Sequence, residues 1–173
     1  MRVPSFLLPV LLAVACGKTA PTVAPLESTL RDSSGADVGR VTLQIDGAGL
    51  QLRVRVNGMA PGLHGMHLHE AARCEAPAFQ TAGAHLNPGA KQHGRLNPQG
   101  PHLGDLGNIR VGTDGAGDTT VAVTGVEAQR GVPMFIGLGQ SGGLAVVVHA
   151  SRDDEMTDPS GNSGARIACA ELR

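Results

Sequence analysis

An all-β fold, an antiparallel sandwich or barrel carrying two long ordered loops, is predicted by three features of the sequence. Apolar and polar residues alternate from Val41 onward with the period of a half-buried strand. Twenty-five glycines and eleven prolines mark many turns along the 173 residues. No stretch repeats apolar residues at the spacing of a convincing amphipathic helix. Hydrophobic residues make up 41% of the chain and aromatics only 2%, so Val, Leu, Ile and Ala must build the core of one domain. A net charge of −1 leaves no footprint for nucleic acid or an anionic membrane surface, and neither is expected as a partner.

Taken in order, residues 1–15 read as a signal peptide. Arg2 supplies the positive start, Phe6 to Leu12 the apolar stretch, and Ala13-Val14-Ala15 the small-residue cleavage site. The apolar run is too short for a stable membrane span. Cys16 directly after the cleavage site suggests a lipidated cysteine, with ordinary signal-peptidase cleavage at the same triplet as the alternative. Residues 16–28, rich in Pro, Thr and small side chains, read as the lipidated cysteine and a flexible tether, which leaves 29–173 as the domain. The expected location is therefore the periplasm or cell envelope. Gly17 is not the aspartate that retains lipoproteins at the inner membrane, so the outer membrane is the expected anchor point and the lipid the only membrane contact. Three cysteines in an exported chain leave one odd. If Cys16 is acylated, Cys74 and Cys169 remain as a pair in an oxidising compartment, the alternative being two buried thiols.

Within the domain, Val41, Leu43 and Ile45 alternate with polar residues, and Leu50, Leu52, Val54 and Val56 do the same after Gly47-Ala48-Gly49; this reads as a β-hairpin. Further strands are expected at Asp105 to Val111, Thr119 to Val126, Met134 to Gly137 and Leu144 to His149. Glu70 to Leu103 and Ala150 to Gly164 read as long loops. Structureless loops of this length inside a compact domain are usually functional.

Histidine placement gives those loops a purpose. His67 and His69, two apart on a strand, point to one face and can share an ion, while Met66 and Leu68 enter the core. His149 ends an apolar strand and can add a third nitrogen. The loop set His85, His93, His102 and Asp105 supplies three nitrogens and one carboxylate, the donor set of a closed structural zinc site. Imidazole-rich sites suit copper and zinc rather than magnesium or calcium. A histidine serving both sets would bridge through both ring nitrogens, and the spacing alone does not select which.

These residues sit in motifs that resemble the copper–zinc superoxide dismutase family, specifically its exported bacterial branch. The motifs are GLHGMHLHE at Gly62 to Glu70, GAHLNPGAKQHGRLNPQGPHLGDLGN at Gly83 to Asn108, VVVHASRDD at Val146 to Asp154 and GNSGARIAC at Gly161 to Cys169. The resemblance runs from about Asp32 to Cys169 and implies an eight-stranded Greek-key barrel or sandwich. It implies copper on His67, His69, His85 and His149, and zinc on His85, His93, His102 and Asp105, with one of each metal per subunit and His85 as the bridge. It further implies that Arg166 docks superoxide, that Asp153 hydrogen-bonds His67 and His93, and that Cys74 and Cys169 form a disulfide. His64 matches a histidine that is not a ligand, so a structural hydrogen-bonding role is expected. The lysine that guides superoxide in eukaryotic relatives has no counterpart in the shorter loop before Arg166, which leaves Lys91, Arg95 and Arg152 as candidate substitutes. The expected activity is dismutation of superoxide to oxygen and hydrogen peroxide, with homodimerisation left open. The alternative is a non-catalytic copper- and zinc-binding envelope protein of the same fold.

Overall fold

A computed structural model describes residues 24–46, 49–123, 126–129, 132–135 and 143–173. The segment read as a signal peptide, Cys16, and Gly47 and Ala48 lie outside the described residues. Among the described residues ten strands follow one another: β1 (Leu26–Asp32), β2 (Asp37–Asp46), β3 (Gly49–Val56), β4 (Gly62–His69), β5 (Asp105–Val111), β6 (Gly117–Val123), β7 (Val126–Gln129), β8 (Val132–Phe135), β9 (Leu144–His149) and β10 (Arg166–Leu172). The expected strands at Asp105 to Val111 and Leu144 to His149 form with those bounds. The run expected over Thr119 to Val126 instead ends β6 at Val123 and gives its last residue to β7. The run expected over Met134 to Gly137 is β8 as far as Phe135, and Ile136 and Gly137 lie outside the described residues.

Eight of the strands form one antiparallel sheet in the order β5-β4-β9-β10-β1-β2-β3-β6. The connections β3 to β4 and β6 to β9 cross between non-neighbouring strands, which gives the Greek-key path. β5 and β6 lie at opposite ends of that order yet are joined by a tight turn, in which the Gly112 amide donates to Ala116 O at 2.8 Å. Bringing the two edges together curls the sheet into a nearly closed barrel. β7 and β8 form a separate two-stranded sheet.

One boundary differs from expectation. β1 begins at Leu26, three residues inside the segment read as tether, because Leu26 pairs with Leu43 of β2 and Leu30 is fully buried. The Pro- and Thr-rich composition upstream masked a strand whose alternation rests on two leucines.

The hairpin β2–β3 pairs Val41 with Val54 and Leu43 with Leu52, so one face is apolar throughout. Those side chains join Leu30, Met66, Leu68, Ile109, Val146 and Val148 in the barrel interior. Burying each contributes about 1.5–3 kcal/mol. β9 is buried at every position, and the register explains why. Val146 and Val148 face inward, whereas Ala145 and Val147 face outward beneath a second cluster built on Phe79, Ala82 and Cys169. The Cys74–Cys169 disulfide, spanning 95 residues, fastens the loop that carries Phe79 to β10. The barrel's outer wall is thus roofed at β4 and β9, and the histidines lie under that roof.

Candidate metal centre

His67 and His69 leave β4 on the outer side, opposite Met66 and Leu68 in the core. β9 lies alongside, with His67 opposite Val147 and His69 opposite Ala145, and ends at His149. The chain then returns. An isolated bridge pairs His69 with His85, supported by Leu86 N to Leu68 O at 2.8 Å and Glu70 N to Ala84 O at 3.1 Å. One donor atom from each of His67, His69, His85 and His149 falls within 4.8 Å of the others.

The hydrogen bonds fix which nitrogen each ring offers. His69 Nδ1 donates to Gly83 O at 3.0 Å, His149 Nδ1 to Gly164 O at 3.0 Å, and His67 Nε2 to Asp153 Oδ2 at 2.9 Å. Their opposite nitrogens, His69 Nε2, His149 Nε2 and His67 Nδ1, are buried without a partner. A buried polar atom left unpaired costs about 1–3 kcal/mol, so three in one cluster need a common acceptor of lone pairs. Burial also lowers the pKa to about 3 for His67, about 2 for His69 and about 4 for His149. These rings are neutral, with lone pairs turned to one point, as copper requires.

The second set converges on one carboxylate oxygen. Asp105 Oδ1 lies 2.8 Å from His93 Nδ1 and 3.3 Å from both His85 Nδ1 and His102 Nδ1, and the last two nitrogens are 3.3 Å apart. Donors around tetrahedral zinc, at bond lengths of about 2.0–2.1 Å, are separated by roughly 3.3 Å. By proximity alone His67 also groups with His85, His93 and Asp105. Its Nε2 is committed to Asp153, so its free nitrogen turns to the first set, while His102 Nδ1 stands at donor spacing from His85 and Asp105. Asp105 Oδ2 takes the amides of Gly94 at 2.8 Å and His102 at 2.9 Å, which aims Oδ1.

Asp153 joins the two sets. Oδ1 accepts from His93 Nε2 at 2.9 Å while Oδ2 holds His67, and the side chain is 1% exposed. Its backbone is clasped by Asn108, which accepts the Asp153 amide at 2.8 Å and donates to its carbonyl at 2.9 Å. Burial opposes charge on His93, but bonds to Asp105 and Asp153 raise its pKa to about 9. Burial likewise opposes charge on Asp105 and Asp153, yet hydrogen bonds to histidines hold both carboxyls far below the usual range. The two carboxylates on either side of the His93 ring favour its charged form. Gly161 passes so close that a Cβ there would overlap Asp153 Oδ1 and sit 2.8 Å from His93 Nε2.

Arg166 opens β10 directly across from His149. Its guanidinium donates to Phe79 O and Gly83 O, both at 2.8 Å, and Gly83 O is the same oxygen that orients His69. It lines a cavity of about 490 Å³ together with His85, His102, His149, Lys91 and Asp158. Of the candidate guiding cations, Lys91 reaches this cavity; Arg95 pairs with Glu155 at 2.9 Å, and Arg152 is exposed outside its wall. His64 sits with both ring nitrogens 2.8 Å from carbonyls, those of His149 and Ala60, as a brace.

The loop before Arg166 is organised by Asp154. That carboxylate accepts the amides of Met156 at 2.9 Å and Thr157 at 2.8 Å, the Thr157 hydroxyl at 2.7 Å and Asn162 Nδ2 at 3.0 Å. Hydrogen bonding to Thr157 leads in lowering its pKa to about 2. Asn108, Asp154, Asp158 and the Gly83 carbonyl were not singled out in the sequence. An asparagine or carbonyl that works through another side chain leaves no spacing signal.

Comparison with known proteins gives one consistent result. The model of the family described as copper/zinc superoxide dismutase matches residues 38–172. The chain is 37% identical over 147 residues to "Superoxide dismutase [Cu-Zn] 2" of Aquifex aeolicus, covering 83% of this chain and 84% of that one. It is 39% identical over 145 residues to the superoxide dismutase-like protein YojM of Bacillus subtilis, covering 83% and 73%. The crystal structure of a SOD-like protein from Bacillus subtilis superposes with a TM-score of 0.78 at 36% identity, covering 87% of this chain and 100% of that one.

Proposed function

The chain belongs to the copper/zinc superoxide dismutase family, and from that premise we propose a role for each residue of the two donor sets. The reaction is that of the family: two superoxide anions and two protons give oxygen and hydrogen peroxide, with copper and zinc as cofactors. His67, His69, His85 and His149 would hold copper, and His85, His93, His102 and Asp105 would hold zinc, so His85 serves both. Copper, when bound, supplies a one-electron couple that one superoxide reduces and a second reoxidises.

The remaining work falls to the chain. Arg166 carries a permanent charge and a fork of donors suited to a small anion. Two of those donors are spent on the Phe79 and Gly83 carbonyls, which fixes the guanidinium while its remaining N–H groups face the cavity. Lys91 on the same wall adds attraction over a longer range. His85 lies between the sets with Nδ1 turned to Asp105, so its Nε2 is the atom that would hold copper and, whenever released from that ion, take up a proton beside the reacting oxygen. Asp153 holds the His67 and His93 rings in one tautomer, as carboxylates behind ligand histidines do.

The observation that carries this reading is the convergence of three unpartnered, buried imidazole nitrogens beside a fixed arginine. The alternative, a metal-binding envelope protein without turnover, keeps the donor sets but leaves Arg166 only its bonds to the Phe79 and Gly83 carbonyls. Pulse radiolysis on protein with counted copper and zinc separates the two. Superoxide decay that is fast and proportional to copper content is expected; full occupancy of both metals without decay would establish the alternative.

The same proposal includes export. The Arg2 start, the apolar Phe6 to Leu12 and Ala13-Val14-Ala15 before Cys16 support cleavage after residue 15 and acylation of Cys16, with anchoring at the outer membrane facing the periplasm. Mass spectrometry of the native N-terminus should find diacylglycerol on Cys16, whereas an unmodified terminus would sink the anchor. Sedimentation of the mature domain decides whether it pairs.

A further inference from the structure

The ring nitrogens of the six donor histidines can be followed one by one. His67 and His93 give their outer nitrogen to Asp153, His69 to Gly83 O and His149 to Gly164 O, while His85 spans the two sets. His102 is the exception among the described residues. Its Nδ1 is turned to Asp105 and its Nε2 has no hydrogen bond; the nearest carboxylate oxygen is Asp158 Oδ1 at 3.8 Å. That oxygen is already placed by the neighbouring ligand, since the His93 amide donates to it at 2.6 Å.

We propose that Asp158 is a positioning residue for the zinc site, accepting the Nε2 proton of His102 once the Nδ1 of that ring is committed to zinc. This rests on the zinc assignment of His85, His93, His102 and Asp105. A metal on Nδ1 leaves the proton on Nε2 and makes it a stronger donor, so the carboxylate gains most when the site is filled. Closing from 3.8 Å to hydrogen-bond length takes about 1 Å. The Asp158 side chain is 49% exposed, so packed neighbours surround only part of it. Asp158 also belongs to the loop that ends in Arg166 and lines the same cavity as Arg166 and His149. Loading zinc therefore adds a second bond between this cavity wall and the zinc loop, beside the His93 amide bond to Asp158 that is present without the ion.

The test uses the full mature protein carrying both metals, with zinc release to a chromophoric chelator as the readout. Asp158→Asn keeps an oxygen for the His93 amide but loses the charge that His102 needs. Zinc release roughly tenfold faster or more is expected, with an unchanged Cu(II) electron paramagnetic resonance spectrum and an unchanged Tm of the metal-free protein. Asp158→Ala should release zinc faster still, and Asp158→Glu should recover part of the loss. Release from Asp158→Asn within twofold of wild type would overturn the inference. So would faster release matched by an equal fall in the metal-free Tm, the mark of a general loop brace. If wild-type protein fails to give a four-coordinate spectrum when cobalt replaces zinc, the zinc assignment itself falls.

Discussion

On the copper side, His67, His69 and His149 stand on adjacent strands of a barrel wall whose other face is packed core. On the zinc side, His85, His93 and His102 come from one long loop, and only Asp105 starts a strand. The difference extends to charge. Burial strips protons from the copper nitrogens, whereas the zinc loop retains one on His93, held between Asp105 and Asp153. A sheet can hold neutral donors apart by backbone register; a loop without its ion needs internal charge pairing to stay shaped. His93 Nδ1, buried without a hydrogen-bond partner and 2.8 Å from Asp105 Oδ1, is the nitrogen turned to the zinc position.

The largest expected effect breaks the comparison by damaging what the two sides share. Gly161→Ala adds a methyl group against Asp153 and His93 at a residue whose φ is +64°. A cost of about 3 kcal/mol is expected, with weakened binding of both metals. Urea unfolding and metal counts would show it, and loss confined to zinc would mean that Asp153 does not join the sets.

Acidity sharpens the contrast. Zinc must displace the His93 proton, so its affinity should rise about tenfold per pH unit up to about 9 and level off above it. Copper affinity of the zinc-free protein should be flat above pH 5, because its three strand histidines are already neutral there and His85 keeps its proton on the Nδ1 turned to Asp105. The sign for the metal-free fold is opposite to that of the zinc affinity. A histidine pKa raised from 6.5 to about 9 stabilises that fold fully below 6.5, and the contribution disappears as pH climbs through 9. Competition titrations at pH 6 and 8 would find a zinc difference of about a hundredfold; equal slopes for both metals would end the distinction.

Arg166→Ala should act on the copper side alone, slowing superoxide decay roughly tenfold or more with both metals still bound. A loss of zinc in this variant would mean that its bonds to Phe79 and Gly83 also brace the zinc ligands of that loop. The smallest effect concerns Ser163, whose hydroxyl is fully buried without a partner beside Gly65 and Asp153. Ser163→Ala should raise stability by about 0.5–1 kcal/mol, read as a higher Tm, with metal affinities unchanged.

The copper side was the more legible in the sequence, and for a physical reason. A strand's period of two assigns His67 and His69 to one face before any fold is known, and the apolar run ending at His149 announces a neighbouring strand. Loop donors have no period. Their residue types suggested zinc, but only the motifs joined His85 to both sets, and nothing local pointed to Asn108 or Asp158. β1 was partly hidden because composition, which misleads over short stretches, outweighed the alternation of Leu26 and Leu30.

The Asp154 knot bears on the order of events during folding. Its bonds reach two to eight residues along the chain, so closing them costs little loop entropy. Segments of that length close in about 10–100 ns. The disulfide must join residues 95 apart, and Asn108 must find Asp153 across 45. The segment preceding Arg166 is therefore the piece whose closure costs least loop entropy, and the disulfide and the Asn108 clasp are the pieces whose closure costs most.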